Sequence, residues 1–202
     1  MNLEVLWRQL IGIGAEHLRL SVDGSIHADS LAVGQIETSA YRVHYGIDCD
    51  SSWQVRGVRV EDLLSPKVVS LVCANDGRWS DEEGDPRPDL DGCTDVDIMI
   101  TPFTNTLPIR RLNLKVGEAK EISVVYVGLP GLVISRFEQR YTCLSLNENG
   151  GMYRYENVKS DFTADLTVDT DGLVVDYPNI FVMDAKRPLA KGAAAGTPIS
   201  PR

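Results

Sequence analysis

Asp95 and Asp97 are the residues of this sequence best placed to do chemistry. They stand two apart in a short β run whose apolar members, Val96, Ile98 and Ile100, alternate with them, so a strand there turns both carboxylates to one face. Like charges on one face need a cation or a hydrogen-bond donor beside them. Functionally, such a pair works as general acid and base or holds a metal. Structurally, it pairs with Arg56, Arg110, Arg111 or Arg154 and pins the turn that follows, and this second reading is favoured because buried charges are ordinarily paired.

The strand runs into Thr101, Pro102, Thr104, Asn105, Thr106 and Pro108, residues that hydrogen-bond their own backbone or preset φ, as a sharp corner requires. Such a corner also offers hydroxyls and an amide to a sugar or head group. Gln139-Arg140-Tyr141 and Tyr153-Arg154-Tyr155 set arginine between side chains suited to an amphiphile's wall or, equally, to a barrel core with its hydroxyls at the rim. The catalytic templates are missing: there is no Gly-x-Ser-x-Gly elbow, no phosphate-cradling glycine loop and no His-Glu-x-x-His. His17, His27 and His44 lie beside no plausible nucleophile.

The elements that must position these residues are strands. Residues 36–49 alternate, with Tyr41, Val43, Tyr45, Ile47 and Cys49 on one face and Arg42, His44 and Asp48 on the other. Parity switches near Gly57, as at a bulge. Asp23-Gly24, Asp76-Gly77 and Asp171-Gly172 each separate alternating runs, a hairpin signal in which both turn positions are expected at positive φ. Further runs cover 96–100, 121–127, 132–137, 140–146 and 152–157, while 60–64 and 101–107 are expected to hold single helical turns. About ten strands in one meander must curl to bury their apolar faces, so the expected fold is mainly β: a single antiparallel curved sheet forming an incomplete or closed barrel. Residues 1–185 make that domain, and 186–202, rich in Ala, Gly, Pro and Lys, a flexible tail.

The 202-residue chain carries a formal net charge of −9, which repels phosphate backbones and argues against nucleic acid. No apolar run approaches the length of a membrane span, and the apolar residues 10–14 are too few for a secretory core, so a cytoplasmic protein without stable membrane insertion is expected. Cys49, Cys73, Cys93 and Cys143 are spaced too irregularly for a zinc or redox motif and read as small buried residues.

The run Leu90-Asp91-Gly92-Cys93-Thr94-Asp95-Val96-Asp97, the stretch 101–111, Gln139-Arg140-Tyr141, Tyr153-Arg154-Tyr155 and Asp176-Tyr177-Pro178 together resemble the bacterial family called putative glycolipid-binding proteins. Asp48-Cys49, Trp53 to Arg56 and Asp76 to Trp79 fit the same pattern. The resemblance implies a fold like the periplasmic lipoprotein carriers, an incomplete barrel around a hydrophobic cavity that binds a lipid or glycolipid without turnover, cofactor or metal. It also implies a ligand rim drawn from Arg56, Trp79, Asn105, Arg110, Arg111, Gln139, Tyr141 and Tyr155, with Asp95 and Asp97 as a structural polar network. Two other readings stay open: a filled-barrel scaffold with no small ligand, and an enzyme using Asp95 and Asp97.

Overall fold

The structure, a computed structural model, describes residues 1–189. Its strands are β1 (Asn2–Gln9), β2 (Gly14–Asp23), β3 (Ser25–Ile36), β4 (Ser39–Cys49), β5 (Val55–Asp62), β6 (Val68–Cys73), β7 (Trp79–Asp81), β8 (Asp95–Ile98), β9 (Ala119–Gly128), β10 (Val133–Asn147), β11 (Gly150–Asn157), β12 (Thr163–Val168), β13 (Val174–Tyr177) and β14 (Phe181–Pro188). Helix α1 (Thr106–Leu112) follows β8. The fourteen strands form one sheet in the order β7-β6-β5-β4-β3-β2-β1-β14-β13-β12-β11-β10-β9-β8. It is a meander whose two chain ends pair, β1 with β14, and whose break falls between β7 and β8. No ladder closes that break among the described residues, so the barrel is incomplete. Side chains span it instead: the Gln54 amide donates to the Thr94 carbonyl at 2.9 Å and the Trp79 indole to the Cys93 carbonyl at 3.0 Å.

The hairpins fall where Asp-Gly places them, with one correction to their geometry. Only the glycine takes positive φ, as at Gly77 (φ 83°), while the aspartate does not. Ala74 N–H donates to the Arg78 carbonyl and Gly77 N–H to the Ala74 carbonyl, the pattern of a tight turn closed by one left-handed residue. The loop between β4 and β5 repeats it with Trp53 (φ 66°) in the left-handed position. A register shift at Asp48/Cys49, opposite Gly57 and Val55, is the bulge that the parity switch implies.

Four expectations change. Residues 132–137 and 140–146 are one strand, β10, because Phe137, Gln139, Tyr141 and Cys143 keep a single parity through the polar pair that reads as a gap. Residues 60–62 finish β5 instead of turning helical, whereas 103–112 do form a 3-10 turn and α1. The β8–β9 pair is parallel, since the connection between the two strands, which carries α1, is long enough to return the chain in the same direction. The domain also continues past Ala185: Val5 pairs with Lys186 and Leu3 with Pro188, and Lys186 Nζ binds Asp169 at 2.6 Å and Asp171 at 2.5 Å. The rest of the expected tail, from residue 190, lies outside the described residues.

The buried side of the sheet is not left hollow. Every residue from Thr101 to Ile109 is buried, and Ile100, Phe103 and Leu107 join one core with Trp7, Leu18, Tyr45, Ile47 and Leu71. Tyr41, Tyr45 and Trp53 are therefore core residues. Strands β8 and β9 are buried on both faces, with Val96, Ile98, Val125 and Val127 in that first core and Val124 and Ile122 in a second built around Tyr141, Tyr153, Tyr155 and Leu166. All four cysteines are free and buried.

Candidate functional site

The second core opens to solvent at a cleft of about 330 Å³. Pairing puts its walls together: Asp97 lies opposite Tyr126, Phe137 opposite Val124, Gln139 opposite Ile122 and Tyr141 opposite Tyr155, all on one side of β8 to β11. Tyr126 and Phe137 stack with centroids 4.2 Å apart. Tyr155, Phe162, Tyr177 and Phe181 follow one another in edge and tilted contacts of 5.9, 6.4 and 6.5 Å. Phe162 stays 43% exposed at the rim, with Met99 beside it in the lining.

The floor is polar. Gln139 Nε2 donates to Asp97 Oδ2 at 2.6 Å, and the Thr104 hydroxyl to Asp97 Oδ1 at 3.3 Å. The Tyr141 hydroxyl donates to Asn105 Oδ1 at 2.8 Å, and Asn105 Nδ2 to the Pro102 carbonyl at 3.3 Å. Burial pushes the Asp97 carboxyl up to about 6, only partly offset by the Gln139 and Thr104 hydrogen bonds. Burial and the Asp97 charge together push the Tyr126 phenol up to about 12 and hold Tyr141, Tyr155 and Tyr177 higher still, so all four stay neutral and protonated at ordinary pH.

Thr101, at the cleft's edge, leads inward to a second buried acid. Glu16 Oε1 accepts from the Ser30, Thr101 and Tyr45 hydroxyls, while Oε2 has no partner, and burial pushes this carboxyl up to about 7. Such a network holds a carboxyl inside the first core, away from the surface, where burial favours its protonated form.

The residues singled out in the sequence divide. Asn105 and Tyr155 line the cleft with Asp97, and Gln139 and Tyr141 lie buried beneath it, hydrogen-bonded to Asp97 and Asn105. Arg111 makes a fork with buried Asp95, Nε to Oδ1 at 3.1 Å and Nη2 to Oδ2 at 2.5 Å, so one of the two carboxylates has the expected arginine and the other has none. Arg110 lies with its guanidinium carbon 5.2 Å from the Trp53 ring and lines a separate, open concavity of about 560 Å³ with Asn147, Tyr153 and Asp169. Arg56 binds Asp50 at 2.7 Å, and Trp79 is buried across the sheet's break. Arg154 pairs with Asp165. The residues not foreseen are the aromatic walls, Tyr126, Phe137, Phe162, Tyr177 and Phe181. The period of two through Ile122, Val124 and Tyr126 and through Phe137, Gln139 and Tyr141 was the available signal. Among the described residues no cluster of His, Cys, Asp and Glu could hold a metal ion, and no helix is long and apolar enough to cross a membrane.

Comparison with known proteins matches residues 4–182 to the family described as "Putative glycolipid-binding". A crystal structure of a DUF1089 family protein from Pseudomonas aeruginosa is similar at 36% identity and a TM-score of 0.73, over 83% of this chain and 91% of that one. No protein of curated function matches.

Proposed function

The chain belongs to the Putative glycolipid-binding family, and from that membership and the aromatic cleft we propose that it binds a lipid or glycolipid without chemical turnover. The observation that carries the proposal is the cleft's make-up: six aromatic rings around a floor of one carboxylate and two amides. Apolar walls with a few convergent polar groups are what a small-molecule site requires, and about 330 Å³ is at the small end of the usual range. The cleft therefore takes a head group and the first part of a chain, with Phe137, Phe162, Ile180 and Phe181 along the apolar portion. Each methylene buried contributes about 0.8 kcal/mol.

The two rival readings are each weakened or narrowed by one observation. An acid-base pair needs both aspartates free, and Asp95 is engaged by Arg111. The scaffold reading draws on the filled interior, residues 101–109, which moves any ligand from the middle of the sheet to its rim. A body with net charge −9 leaves nucleic acid out of the proposal.

Native mass spectrometry of protein purified without detergent, followed by titration of the lipid-free protein with a fluorescent fatty acid and octyl glucoside, tests the proposal. Saturable, mutually competable binding is expected, weakened at least tenfold by Asn157→Trp, which enlarges a residue of the cleft lining. Absence of saturable binding to either probe by the folded, lipid-free protein overturns it.

A further inference from the structure

Asp97 is a charge without a counter-charge. Its two oxygens already accept one hydrogen bond each, but both donors, Gln139 and Thr104, are neutral, and no Lys, Arg or His lines the cleft. Two residues away on the same face, Asp95 has a complete arginine fork, so the strand is able to present a carboxylate to a cation and at Asp97 does not. Burying an unpaired carboxylate is costly, and the raised Asp97 carboxyl is the sign of that cost.

The other polar groups that line the cleft, the Thr101 hydroxyl, the Asn105 and Asn157 amides and the Tyr126, Tyr155 and Tyr177 phenols, are all uncharged. The Thr101 hydroxyl donates to Glu16 and accepts from the Phe103 N–H, and Asn105 is occupied at both ends by Tyr141 and Pro102. What the cleft lacks is positive charge more than donors or acceptors. Around Asp97 the walls are aromatic rings, whose faces are negative and attract a cation lying within about 6 Å, best of all one whose charge is clothed in methyl groups.

Resting on the lipid-binding reading above, we infer that the cleft formed by Asp97, Tyr126, Phe137, Tyr155, Phe162 and Tyr177 selects an amphiphile whose head group is an alkylated ammonium, Asp97 supplying the counter-charge and the rings the cage. An anionic head group has no partner there and meets Asp97 at close range. A neutral sugar head fits the volume but leaves the buried charge as it was.

Three amphiphiles with the same octyl chain separate these cases: octyltrimethylammonium, octyl glucoside and octyl phosphate, titrated calorimetrically into lipid-free protein below their micellar concentrations. About 150 mM salt screens the acidic surface at long range. The inference expects octyltrimethylammonium to bind at least tenfold tighter than octyl glucoside, and octyl phosphate weakest. Asp97→Asn should bring the ammonium-to-glucoside ratio to within about threefold of unity, and Phe162→Leu, at the exposed rim where the fold tolerates change, should lower that ratio severalfold. Thermal melts of both variants establish that they are folded. Octyl glucoside binding as tightly as the ammonium, or a ratio unmoved in either folded variant, overturns the ammonium inference while the lipid-binding reading stands. No saturable binding by any of the three overturns both.

Discussion

Replacing Arg111 by alanine strands the Asp95 carboxylate in the protein's interior. The Asp95 side chain has no exposure, and its two oxygens take the Arg111 fork at 3.1 and 2.5 Å, with a further bond from the Thr94 hydroxyl at 2.8 Å. Removing one partner of a buried pair costs about 3–5 kcal/mol. The Thr94 bond survives the mutation, which places the expected loss at the lower end, about 3 kcal/mol. The opposite mutation, Asp95→Asn, should cost less, about 1–2 kcal/mol, because Arg111 lines an open concavity beside Glu121 and Glu138 and its charge can reach water there. The pair is therefore asymmetric by more than about 1 kcal/mol, the acid being the deeper member. Urea unfolding at neutral pH measures both, with unchanged m values confirming that the same surface is exposed. A loss under about 1 kcal/mol for Arg111→Ala, or an equal loss for the two variants, would refute the placement of Asp95 as a fully buried charge.

Glu16 and Asp97 set a pH dependence of the opposite sign to ordinary acid unfolding. Their folded carboxyls sit at about 7 and about 6, above the ordinary values, so the folded protein holds protons that the unfolded chain releases; the stability they contribute is complete below about pH 4 and lost as pH rises to about 7. The stability of Glu16→Gln or Asp97→Asn relative to wild type should thus rise by about 3 kcal/mol between pH 4 and pH 8, and a flat difference would contradict both assignments. Phe103→Ala, which hollows the buried segment beneath the sheet, should cost about 3–5 kcal/mol in urea unfolding. Ending the chain at Ala185 removes Lys186 from Asp169 and Asp171 and the last rungs of β14 on β1, and a melting temperature lower by several degrees is expected in a thermal scan.

Most strands could be read from the sequence because period-two alternation and Asp-Gly turns are local signals, and they carry β2 to β6 and β9 to β13 with few errors. What could not be read depends on contacts far apart in the chain. Strand β14 is held by β1, its partner at the other terminus, and little in residues 181–188 distinguishes a paired strand from a loose end. The parallel β8–β9 pair is equally silent, since Ile122, Val124 and Tyr126 alternate in the same way whichever direction their neighbour runs. Arg110 and Arg111 are adjacent and chemically alike, but on α1 they point about 100° apart, so one meets Asp95 and the other Trp53. Nothing short of the helix's phase against β8 tells them apart. Gln139 shows the converse: a polar residue that breaks an apolar run in sequence becomes, once β10 is continuous, the donor to Asp97.

The contrast between Asp95 and Asp97 is where fold and site meet. Both occupy the same face of one four-residue strand, so local sequence assigns them the same role. Helix α1 crosses that face at one end only, carrying Arg111 to Asp95, while the other end is faced by β10 and β11, whose inward side chains are Gln139, Tyr141 and Tyr155. The helix and the 3-10 turn before it also fill the sheet's interior, which removes the central cavity that a curved sheet would otherwise enclose. The same segment thus neutralises one acid, closes the middle of the sheet, and leaves the second acid at the bottom of an aromatic cleft on its rim. A binding site there needs no hollow barrel, only the absence of an arginine one helical turn further along.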